Sequence, residues 1–286
     1  MHKPTDIEVT VYTPDSQMRT PGKLIISMGR DLYNSWELSW QLFVRDLSAL
    51  YRQSMLGVIW AFIPPIITSA IFIFLQSRNI VNFGETPVPY PVYVLVSVIL
   101  WQIFAESFSS PLKSVTASKP FLVKIYFPRE ALIVSSFLLV LFNSLVKLVI
   151  LGVILVIFRV PLTGGLLLFP LPFFMLIILG MGLGLLITPL GMLYTDVSTA
   201  IPLILQLWFF ITPVVYPPPE TFPLYLIVIL NPVSPLLIAA RDLITLGAIT
   251  NMPSFLVTSG LSILCLIFAW ILYRIAMPII IERISA

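Results

Sequence analysis

The chain has 286 residues, 58% of them hydrophobic and 10% charged, with a mean hydropathy of +1.02. A soluble domain carries about a quarter charged residues, and a chain of this length needs polar surface to cover one or two cores. The composition excludes an ordinary soluble enzyme, a disordered protein and a nucleic-acid-binding module, and it predicts an all-α polytopic membrane protein. Cys265 lies alone in an apolar run and His2 is the sole histidine. No intramolecular disulfide and no Cys/His metal set can be assembled from them.

Residues 1–23 are polar and include Asp6, Glu8 and Asp15, unlike a cleavable signal peptide. We read residues 1–30 as a cytoplasmic N-terminal segment. Over 31–54, Trp36, Trp40, Phe43, Val44, Leu47, Leu50 and Tyr51 fall on one helical stripe, and Glu37, Gln41, Arg45, Asp46, Arg52 and Gln53 fill the opposite side. That pattern predicts an amphipathic helix over 31–55 lying in the inner membrane interface. A helix packed on a soluble partner would share the period, but few soluble residues exist here to receive it.

Residues 56–286 read as the membrane domain. A spanning helix needs about 20 mostly apolar residues, and six stretches qualify: 56–77, 91–110, 131–158, 166–193, 200–217 and 255–276. Pro64-Pro65 predicts a kink in the first. The loop 111–130 carries Pro111, Pro120 and Pro128, with room for two helical turns over Leu112 to Lys119. The stretch 221–240 is interrupted by Pro223, Pro232 and Pro235, which suits short re-entrant helices better than a span.

The basic residues test the topology. With both termini inside, the inner segments hold Lys3, Arg19, Lys23, Arg30, Arg45, Arg52, Lys113, Lys119, Lys124, Arg129, Arg274 and Arg283. The outer segments hold only Arg78, Arg159 and Arg241, and Lys147 falls within a span. The asymmetry supports six spans with cytoplasmic ends.

The missing motifs narrow the chemistry. No GxxxxGK[ST] phosphate loop, HExxH or GxSxG occurs, so this chain has no recognisable ATP site or hydrolytic centre. Lys147 costs about 2.5–3.5 kcal/mol at a helix centre unless it finds a partner, water or a snorkelling route. Asn143, one turn earlier, shares its face, so the pair reads as a polar patch lining a substrate channel or gate, with snorkelling of Lys147 as the alternative, and Glu106 on the second span is a candidate partner. Tyr93, Trp101, Phe104, Phe108, Trp208 and Phe209 supply ring faces for sugars in a substrate channel, although aromatics also belong in cores and interfaces. Gly180 and Gly184 form a GxxxG, a close-packing signal that would suit a dimer.

Residues 45–63, RDLSALYRQSMLGVIWAFI, resemble the R-D-x-x-x-x-Y-[RK]-x-[ST]-x-L-G-x-x-W-A segment of polysaccharide-exporting ABC permeases. Tyr194-Thr195-Asp196-Val197, Gln206-Leu207-Trp208 and Pro213 through Pro217 resemble a second hallmark of that family, and Asn231-Pro232 followed by Arg241 a third. Two departures are Pro64-Pro65 in place of Gln-Pro and Thr195 in place of an arginine.

The resemblance implies a six-span permease that pairs with a second copy of itself and with two copies of an ABC ATPase subunit, which carries the ATP and Mg²⁺. The permease itself binds no cofactor. The cargo the resemblance implies is a lipid-linked polysaccharide such as O antigen, capsule or teichoic acid, and the place it implies is the inner membrane of a bacterium. By the same resemblance Arg45, Arg52, Leu56, Gly57, Lys113, Lys119 and Lys124 face the ATPase, and the broken 218–240 stretch forms an outer gate. An ion-coupled secondary transporter would want midplane carboxylates, and a membrane enzyme on lipid-linked sugars would want a catalytic acid or metal.

Overall fold

The computed structural model describes residues 21–52, 57–122, 128–161, 163–219 and 221–285. Everything regular among them is helical: α1 (Pro21–Asn34), α2 (Trp36–Arg52), α3 (Ile63–Ser77), α4 (Tyr90–Ala117), α5 (Lys119–Leu122), α6 (Glu130–Ile157), α7 (Pro170–Leu193), α8 (Thr195–Ile211), α9 (Leu224–Leu230), α10 (Val233–Thr245) and α11 (Met252–Ser285). Short 3-10 segments at Gly57–Ala61 and Gly164–Leu168 lead into α3 and α7. Five of the helical stretches are long and apolar enough to cross a bilayer: Ile59–Ser77, Tyr90–Ala117, Glu130–Ile157, Gly164–Leu193 and Met252–Ile284. The apolar α8 is shorter, at 17 residues.

α4 and α7 form the centre. Between two helices in lipid the hydrophobic effect gives little, so small residues that let backbones approach decide the contact. A Cβ on Gly180 would lie 2.6 Å from the Ser107 Cβ, and one on Gly184 would lie 2.1 Å from the Phe108 carbonyl oxygen. The Gly180–Gly184 pair therefore seats α7 on α4 within this chain, and is not spare for a dimer. On another side of α7, a Gly182 Cβ would lie 3.0 Å from the backbone nitrogen of Leu266 on α11. The periphery is inverted relative to a soluble protein: Ile66, Ile67, Ile71 and Phe74 on α3 and Leu256, Val257, Leu261, Leu264 and Phe268 on α11 are exposed. An apolar exterior of that extent belongs against lipid or other protein.

Several boundaries differ from the sequence reading. Helix is already present at Pro21, the first described residue, and α1 passes to α2 at Ser35, whose hydroxyl donates to the Leu32 carbonyl at 3.1 Å while the backbone bonds from Ser35 to Asp31 and from Ser39 to Ser35 carry on across the junction. Pro64 and Pro65 do not kink a span. They sit in the first turn of α3 after a 3-10 entry, where the missing N–H groups would be unpaired in any case.

Pro111 does not end α4, which runs on to Ala117, so most of the predicted Leu112–Lys119 helix is the end of the second span. That end is lashed to α6, with Ser110 Oγ donating to the Ser136 carbonyl (3.3 Å) and Ser114 Oγ to the Leu132 carbonyl (3.5 Å). Packing here outweighs the proline. α8 covers 195–211 where 200–217 was predicted, because Pro213 stops it and Asp196 suits its first turn.

Candidate functional site

Mid-way along α4 and α6, two helices of membrane-spanning length, lies an ion pair. Lys147 Nζ lies 2.5 Å from Glu106 Oε2, and the Asn143 amide donates to Glu106 Oε1. Asn143 and Lys147 are one helical turn apart on α6, so both project at the same carboxylate. The Lys147 side chain is 8% exposed and the Glu106 side chain 24%. The carboxylate therefore neutralises the lysine from a position that still opens outward. Glu106, a secondary candidate in the sequence, is the member that organises the cluster.

The aromatic candidates are brought together, but as interior. Tyr93, Trp101, Phe104, Phe108 and Phe209 are all buried. Trp101 packs on Phe104 (5.3 Å between ring centres) and edge-on to Phe209 (5.8 Å), while Phe104 and Phe108 meet Trp208 at 5.4 and 6.2 Å. In this chain those faces pack against other rings at typical aromatic-pair separations. Trp208 is half-buried, and its indole N–H donates to Asn231 Oδ1 at 3.0 Å. The set forms a stiff wall between α4 and α8.

At one end of the bundle α2 meets the junction of α4 and α5. Arg45 of α2 donates to Ser118 Oγ at 3.2 Å, sits 5.9 Å from the centre of the Phe121 ring, and pairs with Asp46 at 2.7 Å. Lys113 is exposed on the last turns of α4, Lys119 is half-buried at the start of α5, and Arg52 is exposed at the end of α2. Gly57 opens the 3-10 segment at φ +50. Leu56 and Lys124 lie outside the described residues. Two regions about seventy residues apart in sequence thus make one surface.

The same end holds a second charge cluster without a sequence signal. Arg274 of α11 donates to Glu130 Oε1 (2.8 Å) and Asp31 Oδ2 (2.6 Å), joining α11, α6 and α1. At the far end of α4, Arg241 is not a loop residue but a buried one on α10, 2% exposed. No period distinguishes these partners, because each pairing joins elements more than 140 residues apart.

Residues 37–245 match the ABC-2 type transporter family. Among similar curated proteins are two O-antigen export system permease proteins named RfbA. The one from Myxococcus xanthus is 27% identical over 197 residues, covering 68% of this chain and 73% of that protein. The one from Klebsiella pneumoniae is 26% identical over 209 residues, covering 72% and 79%. A family match across most of the chain, on an all-helical fold with several membrane-length apolar helices, makes this multi-pass membrane protein a transport permease of the ABC-2 type transporter family.

Proposed function

We propose that the chain is the membrane subunit of an ATP-driven exporter that carries a lipid-linked polysaccharide, O antigen, across the cytoplasmic membrane. The observation that carries this reading is the resemblance to O-antigen export permeases over about two thirds of the chain. The absence of a phosphate loop from the sequence agrees with it: the power comes from a separate ABC ATPase subunit, two copies for two permeases, which holds the ATP and Mg²⁺.

In this arrangement α8 is the sixth crossing. Its 17 residues span about 26 Å at 1.5 Å per residue, close to the roughly 30 Å hydrocarbon core, and the next few residues complete the passage. α9 and α10 are the re-entrant pair. Both termini are cytoplasmic, residues 1–30 forming the N-terminal segment, 31–55 the interfacial helix and 56–286 the membrane domain. Trp36, Trp40, Val44 and Leu50 are exposed on α2 while Phe43 is buried. That outward apolar face suits a helix half-sunk in the headgroup region.

Arg45, Arg52, Leu56, Gly57, Lys113, Lys119 and Lys124 form the ATPase side. The Glu106–Asn143–Lys147 cluster lies on the translocation path, because a carboxylate facing hydrocarbon is expensive and one facing a wet, sugar-filled passage is not. Trp208 is the aromatic best placed to meet cargo, with the buried rings as its support.

The test is co-purification. The permease expressed with the ABC ATPase subunit of its own host should yield a stable complex whose ATP hydrolysis rises with lipid-linked glycan. A purified permease that drives transport on an ion gradient with no ATPase present refutes the proposal.

A further inference from the structure

Between α8 and α9 the chain leaves helical geometry at Thr212, and residues 212–217 form a strap across the start of α4, the end opposite α2. Carbonyls in such a segment lack helical partners, which is costly in an apolar setting. Side chains supply what the backbone cannot. The Tyr90 hydroxyl donates to the Val215 carbonyl and the Tyr93 hydroxyl to the Tyr216 carbonyl, both at 3.0 Å. Arg241 Nη1 donates to the Pro213 carbonyl at 2.9 Å and to Ser97 Oγ at 3.2 Å, and its guanidinium carbon sits 4.2 Å from the centre of the Tyr93 ring.

Arg241 therefore touches three elements at once: α10, on which it sits; α4, through Ser97 and Tyr93; and the strap, through Pro213. A glutamine amide has two N–H donors but is shorter in reach and carries no charge to set against the Tyr93 ring. Only a planar, forked cation serves a carbonyl, a hydroxyl and a ring face together. The strap in turn continues α8, whose Trp208 and Phe209 pack on Trp101, Phe104 and Phe108 of α4.

We propose that Arg241 is the positioning residue of the strap, fixing the end of α8 to α4 and α10 so that the three move as one body during export. This rests on the exporter reading for its function, but its geometry is testable without it. A displacement of α10 is passed through Arg241 and the strap to the aromatic wall, and a released strap uncouples them.

The experiment uses the full chain with Cys265→Ala and a single reporter, Val215→Cys, in membrane fragments open on both faces, probed with a water-soluble maleimide. Val215 is 2% exposed, so the reporter reacts slowly in the native strap. Adding Arg241→Gln should raise its labelling rate about tenfold or more, as expected when a charged-group hydrogen bond is lost from a local opening equilibrium, and Arg241→Lys should raise it less. A control reporter at Ala269, fully buried midway along α11 and away from the strap, should stay protected. An unchanged rate at Val215→Cys overturns the proposal, and so does an equal rise at both reporters.

Should Arg241→Gln fail to reach the membrane, Tyr93→Phe removes one strap bond while keeping the ring under Arg241. It should give a smaller rise, and no rise overturns the proposal. In the complex with the ATPase, Arg241→Lys should lower polymer exported per ATP hydrolysed while ATP hydrolysis persists; equal loss of both refutes the positioning role. Failure of the exporter reading would show instead as no ATPase complex, whatever the labelling reports.

Discussion

Removing Glu106 is the sharpest perturbation of the central cluster, because it leaves a nearly buried ammonium without its counter-charge. The Lys147 side chain is 8% exposed and lies 2.5 Å from the carboxylate. Breaking a buried ion pair by deleting one partner costs about 3–5 kcal/mol. The 24% exposure of the Glu106 side chain admits some screening, so the lower end, about 3 kcal/mol, is the expectation for Glu106→Ala. At roughly 2 °C per kcal/mol for a chain of this size, the apparent Tm in detergent should fall by about 6 °C.

Lys147→Met removes the charge and fills the same volume, so it should cost much less. In Glu106→Ala/Lys147→Met no charge is left unpaired, and most of the loss should be recovered. The double-mutant cycle is the assay, with a coupling of about 2 kcal/mol expected, well above the roughly 0.5 kcal/mol within which independent sites add. A coupling inside that margin would mean that Lys147 finds its compensation elsewhere, and the paired reading would fall. Export separates the two roles of the lysine. If Lys147→Met keeps the membrane level and the polymer output, the cluster is only a fastener.

Gly184→Ala would put a Cβ 2.1 Å from the Phe108 carbonyl, and it should cost about 3 kcal/mol by forcing α7 off α4; Gly152→Ala, with nothing within 4 Å, should be neutral or slightly stabilising on a thermal melt. Arg274→Gln gives up two charge-assisted bonds, each worth about 1.5–3 kcal/mol, and should speed tryptic cleavage at the exposed Arg30 as α1 comes away from α6 and α11. Trp208→Phe loses the indole donor to Asn231 and should cost about 1 kcal/mol by melting. An Arg45→Ala chain should retain less ATPase on a tagged permease than wild type does, since Arg45 braces the α4–α5 junction at Ser118 and Phe121.

The long apolar helices were legible because their signal is local: runs of apolar residues, punctuated by prolines and flanked by charge. The ends were less so. Pro111 reads as a stop, yet the bonds from Ser110 and Ser114 to α6 hold α4 straight through it. Pro64-Pro65 reads as a kink, yet the helix simply starts there. In both cases the same residue has two outcomes, and the neighbouring helix chooses. Asn143 and Lys147 could be paired from their spacing on one helix. The identity of their shared partner, 41 residues away, could only be suspected. The aromatics were recognised as a group, but nothing in a spacing says whether a ring faces a passage or another ring.

The few charges explain why these pairings matter more here than in a soluble protein. Lipid tails are as apolar as the helices, so burial alone does not choose which helix lies beside which. What remains is close backbone approach at small residues, and polar groups that cannot be left to hydrocarbon. This chain uses the first at Gly180, Gly182 and Gly184, which fix α7 between α4 and α11. It uses the second at different depths: Arg241 ties α10 to α4 at one end, Glu106 ties α4 to α6 in the middle, and Arg274 ties α11 to α6 and α1 at the other. The glycine contacts are steric and have one good geometry. The ionic ties involve flexible side chains and can break and re-form against water or a partner subunit. A transporter that must change shape would then be expected to hinge at the Glu106 and Arg274 ion pairs and stay rigid at its glycines and at the buried Arg241, so α4, α7, α10 and α11 should keep their cross-links through the cycle while α1 and α6 change theirs.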